Sequence, residues 1–150
     1  MHLKAHTVLA PEIVRAILVV GLAKDDKSTL KTLAADLPWE IRCAPTLSRA
    51  IRLIISRSWP VIVCESNLPD GDWRVLLERI QALSRPPQLV VSSRLADEDL
   101  WADVLNRGGY DVLATPFVAD EVHHVLSHAV DYWNRRVEMA DIGRTARLTG

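Results

Sequence analysis

The chain has 150 residues, a formal net charge of -1, 49% hydrophobic and 25% charged residues. That size suits one soluble domain with one core, and the near-neutral charge excludes a broad electrostatic grip on nucleic acid or on an anionic membrane. Two cysteines, Cys43 and Cys64, give neither a disulfide framework nor a zinc spacing, so a reducing cytoplasm is the expected location.

Residues 1–12 read as a leader. The apolar stretch from Ile13 to Ala23 is interrupted by Arg15 and is too short to span a bilayer. Glu12 and Arg15 also make it a poor secretory signal. Five apolar runs follow: Ala16 to Val20, Trp39 to Cys43, Val61 to Cys64, Leu89 to Val91, and Tyr110 to Ala114. The first, third and fourth are continuous and rich in Val, Ile or Leu, the pattern of strands buried on both faces of a parallel sheet.

Helical spacing fills the gaps. Leu30, Leu33, Ala34 and Leu37 share a face, as do Leu47, Ala50, Ile51 and Ile54. Trp73, Leu76, Leu77 and Ile80 form a third stripe, Leu100, Trp101, Val104 and Leu105 a fourth. Val122, Val125, Leu126, Ala129 and Trp133 form the last. Asp26 or Ser28 is the expected cap of the first helix and Thr46 of the second, while Asp97 to Asp99 favour the start of the fourth. Gly108-Gly109 ends it.

The order is (βα)5, a three-layer α/β sandwich. Right-handed crossovers require helices on both faces of the sheet. The flavodoxin-like order 2-1-3-4-5 satisfies this, by analogy with known doubly wound sheets, and puts the functional crevice at the carboxyl ends of strands one and three. The expected division is a leader over 1–12, the domain over 13–133, and a charged helical extension over 134–150. Trp39 and Trp59 should cover the lower rim, Trp73 and Trp101 should be core, and Trp133 should be partly exposed, the best candidate for an interface anchor.

Two stretches then carry a family resemblance. Pro60-Val-Ile-Val-Cys-Glu-Ser-Asn-Leu-Pro-Asp-Gly71 is one; Leu89-Val-Val-Ser-Ser93 with Gly108-Gly-Tyr-Asp-Val-Leu-Ala-Thr-Pro-Phe117 is the other. Both resemble response-regulator receiver domains, over about residues 14 to 130, and look like a divergent bacterial subgroup. The resemblance implies a strand-three aspartate that accepts a phosphoryl group, an acidic pair holding Mg²⁺, a strand-five lysine, a strand-four hydroxyl and a strand-five aromatic.

This chain departs at most of those positions. Glu65 stands at the acceptor, Gly21 and Leu22 at the acidic pair, Thr115 at the lysine and Val112 at the aromatic. The hydroxyl remains as Ser92 or Ser93, and Asn67 keeps the position whose carbonyl would face a metal. Without carboxylates at 21 and 22, Mg²⁺ loses its anionic ligands. Each lost charge at the phosphoryl group commonly costs about 10²-fold or more in rate. The pocket therefore reads as degenerate, with no cofactor and no catalytic turnover. Glu65 either imitates a phosphorylated aspartate by holding the strand-four hydroxyl, or is a solvated residue at a strand end.

Asp25, Asp26 and Glu65 are a weak alternative Mg²⁺ set, though Asp25 and Asp26 more simply cap the helix and face water. His124 and His128, four residues apart, invite a shared metal, but no third ligand is evident and a solvated pair is the simpler reading. By resemblance, the interaction face includes Trp101, Tyr110, Val112, His124 and His128, and Thr115-Pro116 is expected to be cis. The implied function is a phosphorylation-independent module of two-component signalling that meets a histidine kinase, a downstream effector or a second copy of itself. An active phosphoacceptor and a small-ligand binder are the alternatives.

Overall fold

The computed structural model describes residues 13–149; the expected leader and Gly150 lie outside the described residues. Ten main elements alternate: β1 (Ala16–Val20), α1 (Lys24–Leu33), β2 (Glu40–Ala44), α2 (Leu47–Ser56), β3 (Val61–Glu65), α3 (Trp73–Gln81), β4 (Gln88–Ser93), α4 (Glu98–Asn106), β5 (Asp111–Ala114) and α5 (Ala119–Thr149). The five strands form one parallel sheet in the order β2-β1-β3-β4-β5. This is the flavodoxin-like arrangement expected from the alternating pattern.

Strand periodicity divides the core into two layers. Leu18, Val20, Ile62, Cys64, Leu89 and Val91 face α2, α3 and α4 and pack with Ala50, Ile54, Leu76, Ile80 and Val104. Ile17, Val19, Val63, Val90 and Leu113 face the other way, against Leu30 of α1 and Val122, Leu126 and Ala129 of α5. Every residue of β1 is buried, which is why its run is apolar without alternation. β2 is an edge strand, and its Cys43 is only half-buried, whereas Cys64 in central β3 is fully buried.

The caps show where side chains set the boundaries. Thr46 accepts from the Arg49 N–H at 3.2 Å and Asp97 from the Leu100 N–H at 2.9 Å, both as expected. Helix α1 differs. It begins at Lys24 with Ala23 at its N-cap and no side-chain cap, so Asp25 and Asp26 occupy its first turn. There they still favour the positive end of the helix dipole.

Two tryptophans exchange their expected roles. Trp101 is 50% exposed, because Leu100 and Val104 take the inward positions of α4. Trp133 is buried, so it is not an exposed anchor. Helix α5 stays against the body at that point: the Asn134 side chain accepts from the Val14 N–H at 3.0 Å and donates to the Val14 carbonyl at 2.9 Å. One turn and more beyond, Asp141 pairs with Arg85 at 3.2 Å. Trp59 and Trp73 are fully buried, and the Trp59 indole N–H donates to the Leu53 carbonyl at 2.9 Å.

Sequence patterning misses one small element. Asn67–Leu68 and Gly71–Asp72 form a two-residue antiparallel pair between β3 and α3. Asp70 at its tip accepts from the Leu47 and Ser48 N–H groups at 2.8 and 3.0 Å, adding a second cap to α2. Asp72 caps α3 by accepting from the Arg74 N–H at 2.9 Å.

Candidate functional site at the strand ends

The carboxyl ends of β1, β3 and β4 open onto a crevice of about 360 Å³, lined by Gly21, Asp26, Glu65, Asn67, Ser93 and Arg94 among others. β1 ends in Gly21, whose φ of +73° is a left-handed conformation natural to glycine. Its N–H donates to the Ala44 carbonyl at 2.9 Å, fixing the turn against β2.

Glu65 ends β3 and is half-buried. It stands opposite Ser92 in the parallel ladder, and Ser92 is fully buried. The Ser92 hydroxyl donates to Glu65 Oε2 at 3.3 Å and the Ser66 hydroxyl to Oε1 at 3.2 Å. Burial pushes the Glu65 carboxyl above its ordinary range, the two hydroxyls pull it back, and the charge of Asp26 adds a further push upward. Of the two candidate hydroxyls, Ser92 is the one that reaches Glu65. Ser93 serves the following loop instead, its hydroxyl accepting from the Leu95 N–H at 3.1 Å.

The acidic-pair positions are closed as well as uncharged. A β-carbon at Gly21 would collide with Cδ2 of Leu68, so a leucine methyl fills that space. Leu22 turns into the α1–α5 side of the core. Neither residue offers a side-chain oxygen, so these residues do not fit a Mg²⁺ ion of the kind receivers hold.

Asp25 is exposed and Asp26 is buried, which corrects the expectation that both face water. Asp26 turns to the crevice, 4.0 Å from the mostly exposed Arg94 guanidinium. Asp25, Asp26 and Glu65 therefore do not converge, and among the described residues no group of three or more His, Cys, Asp or Glu is placed to hold a metal. Asn67 is exposed on the antiparallel pair. Thr115 is buried, its N–H donates to the Ser93 carbonyl at 3.1 Å, and its hydroxyl has no partner. The Thr115–Pro116 peptide is cis.

Ser66, Leu68 and Arg94 lie at the candidate site and were not singled out by the sequence, whereas Asp26 was expected as a helix cap and in a weak alternative Mg²⁺ set. On the α4–β5–α5 side, Trp101, His124 and His128 are exposed, and Tyr110 and Val112 are half-buried. Tyr110 lies 6.0 Å from Tyr132, ring to ring.

Solved structures share this fold. The signal receiver domain of an HD domain-containing protein from Pseudomonas fluorescens Pf-5 superposes with a TM-score of 0.77 at 24% identity, over 86% of this chain and 96% of that one. The fold is that of a receiver domain. NtrX from Brucella abortus gives a TM-score of 0.75 at 24% identity over 86% of this chain, but only 29% of its own longer chain. The beryllofluoride-activated NtrC4 receiver domain dimer gives 0.72 at 24% identity, covering 79% of this chain and 98% of its own. No family model and no curated protein matches the sequence. In receiver-fold terms, the crevice lies at the switch point between strands one and three.

Proposed function

We propose that the chain is a receiver-type signalling domain that works without phosphoryl transfer, as a docking module for a protein partner or a second copy of itself. The observation that carries this reading is the altered lining of the crevice. Leu68 occupies the space beside Gly21, Thr115 replaces a cation, and the acceptor position holds a glutamate already bonded to Ser92. A receiver switches when its strand-four hydroxyl moves toward a phosphoryl oxygen. Here that hydroxyl has an anionic partner without any modification. No catalytic turnover, no Mg²⁺ cofactor and a cytoplasmic location belong to this reading. The dimer formed by the NtrC4 receiver supports self-association as one output.

Two measurements test it. Incubation with acetyl phosphate and Mg²⁺, followed by intact mass, should show no stable gain of a phosphoryl group; a stable gain overturns the proposal. Glu65→Gln should change the assembly state or the partner affinity, read by size-exclusion chromatography with light scattering and by titration. If neither changes, Glu65 is not the imitator of a phosphorylated aspartate. One observation favours a second reading, an active phosphoacceptor: Asp26 is buried at the crevice beside Glu65. The mass measurement decides between the two.

A further inference from the structure

We propose that His124 and His128 form a binding site for a late first-row transition-metal ion: copper(II), nickel(II) or zinc(II). Helix α5 carries three histidines close together, and the structure separates their roles. His123 is half-buried and its Nε2 lies 2.6 Å from the Leu33 carbonyl, so it is engaged with the body. His124 and His128 are exposed and lie on successive turns of one helix face. Their ring centroids are 4.2 Å apart with the planes tilted by 58°. Among the described residues, neither ring has a hydrogen-bond or ion-pair partner.

Geometry makes the pair a chelate. A metal–nitrogen bond of about 2.0–2.1 Å puts two tetrahedral imidazole ligands about 5 Å apart, centroid to centroid. Starting from 4.2 Å, the rings need part by only about 1 Å. Side-chain rotation on an otherwise fixed helix accomplishes this, and α5 is fixed by its buried inner face of Val122, Val125, Leu126 and Ala129. Little ordering entropy is then lost on binding. Imidazole nitrogen selects borderline ions over hard ones, so Mg²⁺ is not a ligand of this site. The two histidines leave further coordination positions to water, as no third protein donor is placed there among the described residues.

The test is calorimetric titration of the full chain at about pH 7.5 with copper, nickel, zinc and magnesium chlorides, following the general affinity order. Copper should bind most tightly and magnesium should not bind. His124→Ala or His128→Ala should each weaken binding by about tenfold or more, since even outer-shell changes cost about 10–100-fold. His123→Gln should leave affinity unchanged. His2 and His6 remain in every variant, so differences belong to the helix pair. Both alanine variants sit on an exposed face, and unchanged circular dichroism verifies their fold. The electron paramagnetic spectrum of the copper-loaded chain should show two equatorial nitrogens. Wild-type affinity in the double variant His124→Ala/His128→Ala, or loss caused by His123→Gln alone, overturns the proposal.

Discussion

Leu68 places a side-chain methyl where the β-carbon of any larger residue at Gly21 would stand. Introducing a carboxylate there is therefore more than a change of charge. Gly21→Asp meets both the leucine and a φ of +73°. Left-handed backbone at a non-glycine residue costs about 1 kcal/mol or more, and overpacking about 1–3 kcal/mol. We expect Gly21→Asp to lose about 2–4 kcal/mol in urea unfolding. Adding Leu68→Ala should recover part of the loss; equal stability of Gly21→Asp and wild type would show that the turn is looser than described.

Glu65 holds its proton more tightly in the folded chain than in the unfolded one, because burial outweighs the two hydroxyls that favour its charge. The sign follows from linkage. This contribution to stability is fully present below the ordinary carboxylate range and is lost as pH rises through the raised value. Glu65→Gln keeps an acceptor for Ser92 and removes the charge. Its Tm should match wild type in acid and exceed it near neutral pH, by up to about 2–4 °C, the shift given by about 1 kcal/mol in a chain of this size. Melting curves at several pH values check this; a neutral-pH Tm below wild type would contradict it.

Asp70 acts in the opposite sense. Its bonds from the Ser48 and Leu47 N–H groups hold its carboxyl below the usual range. The stability it contributes is present above the unfolded value and is lost as pH falls through the depressed one. Thermal stability at neutral pH should rank wild type above Asp70→Asn, which keeps one acceptor, and that above Asp70→Ala. Hydrogen exchange should show the first turn of α2 loosened in the same order. Equal protection in all three chains would mean that Thr46 alone suffices as the cap.

Trp59 is a large buried side chain whose indole N–H bonds the Leu53 carbonyl and whose ring carries the Arg57 guanidinium at 4.5 Å. Trp59→Ala should cost about 3–5 kcal/mol in denaturant unfolding. Trp59→Phe should cost about 1–2 kcal/mol, because packing is mostly kept and the Leu53 carbonyl still accepts from the Ser56 hydroxyl. A full-sized loss in the phenylalanine variant would place the energy in the polar contact instead.

The sheet order was legible because the buried strands of a doubly wound fold differ from its amphipathic helices in both length and period. Glu65 was legible at a fixed offset from Pro69, whereas the strand-four run left Ser92 and Ser93 both open until the ladder placed Ser92 opposite Glu65. The tryptophans were less so. Helical spacing admits Trp101 to the apolar stripe of α4, yet Leu100 and Val104 already fill the space beneath it. Trp133 precedes a run of charges that suggests departure from the body, whereas Asn134 and Asp141 tie the same helix down. Leu68 was invisible as a site residue, since a leucine packed against a turn glycine has the same pattern as any core leucine. Asp26 shows the converse: proximity to a helix start resembles capping until the backbone places Ala23 there.

The short ladder between β3 and α3 bolts one bank of the crevice in place. Its tip residue closes the start of one helix and its last residue closes the start of the next. Displacing that bank would strip both helices of an anchoring oxygen at once. The opposite bank, Arg94 and Leu95, is solvent-exposed and tied mainly through the Ser93 hydroxyl. The two banks are thus held unequally, and the Ser92 and Ser93 hydroxyls of β4 lie next to the less anchored one.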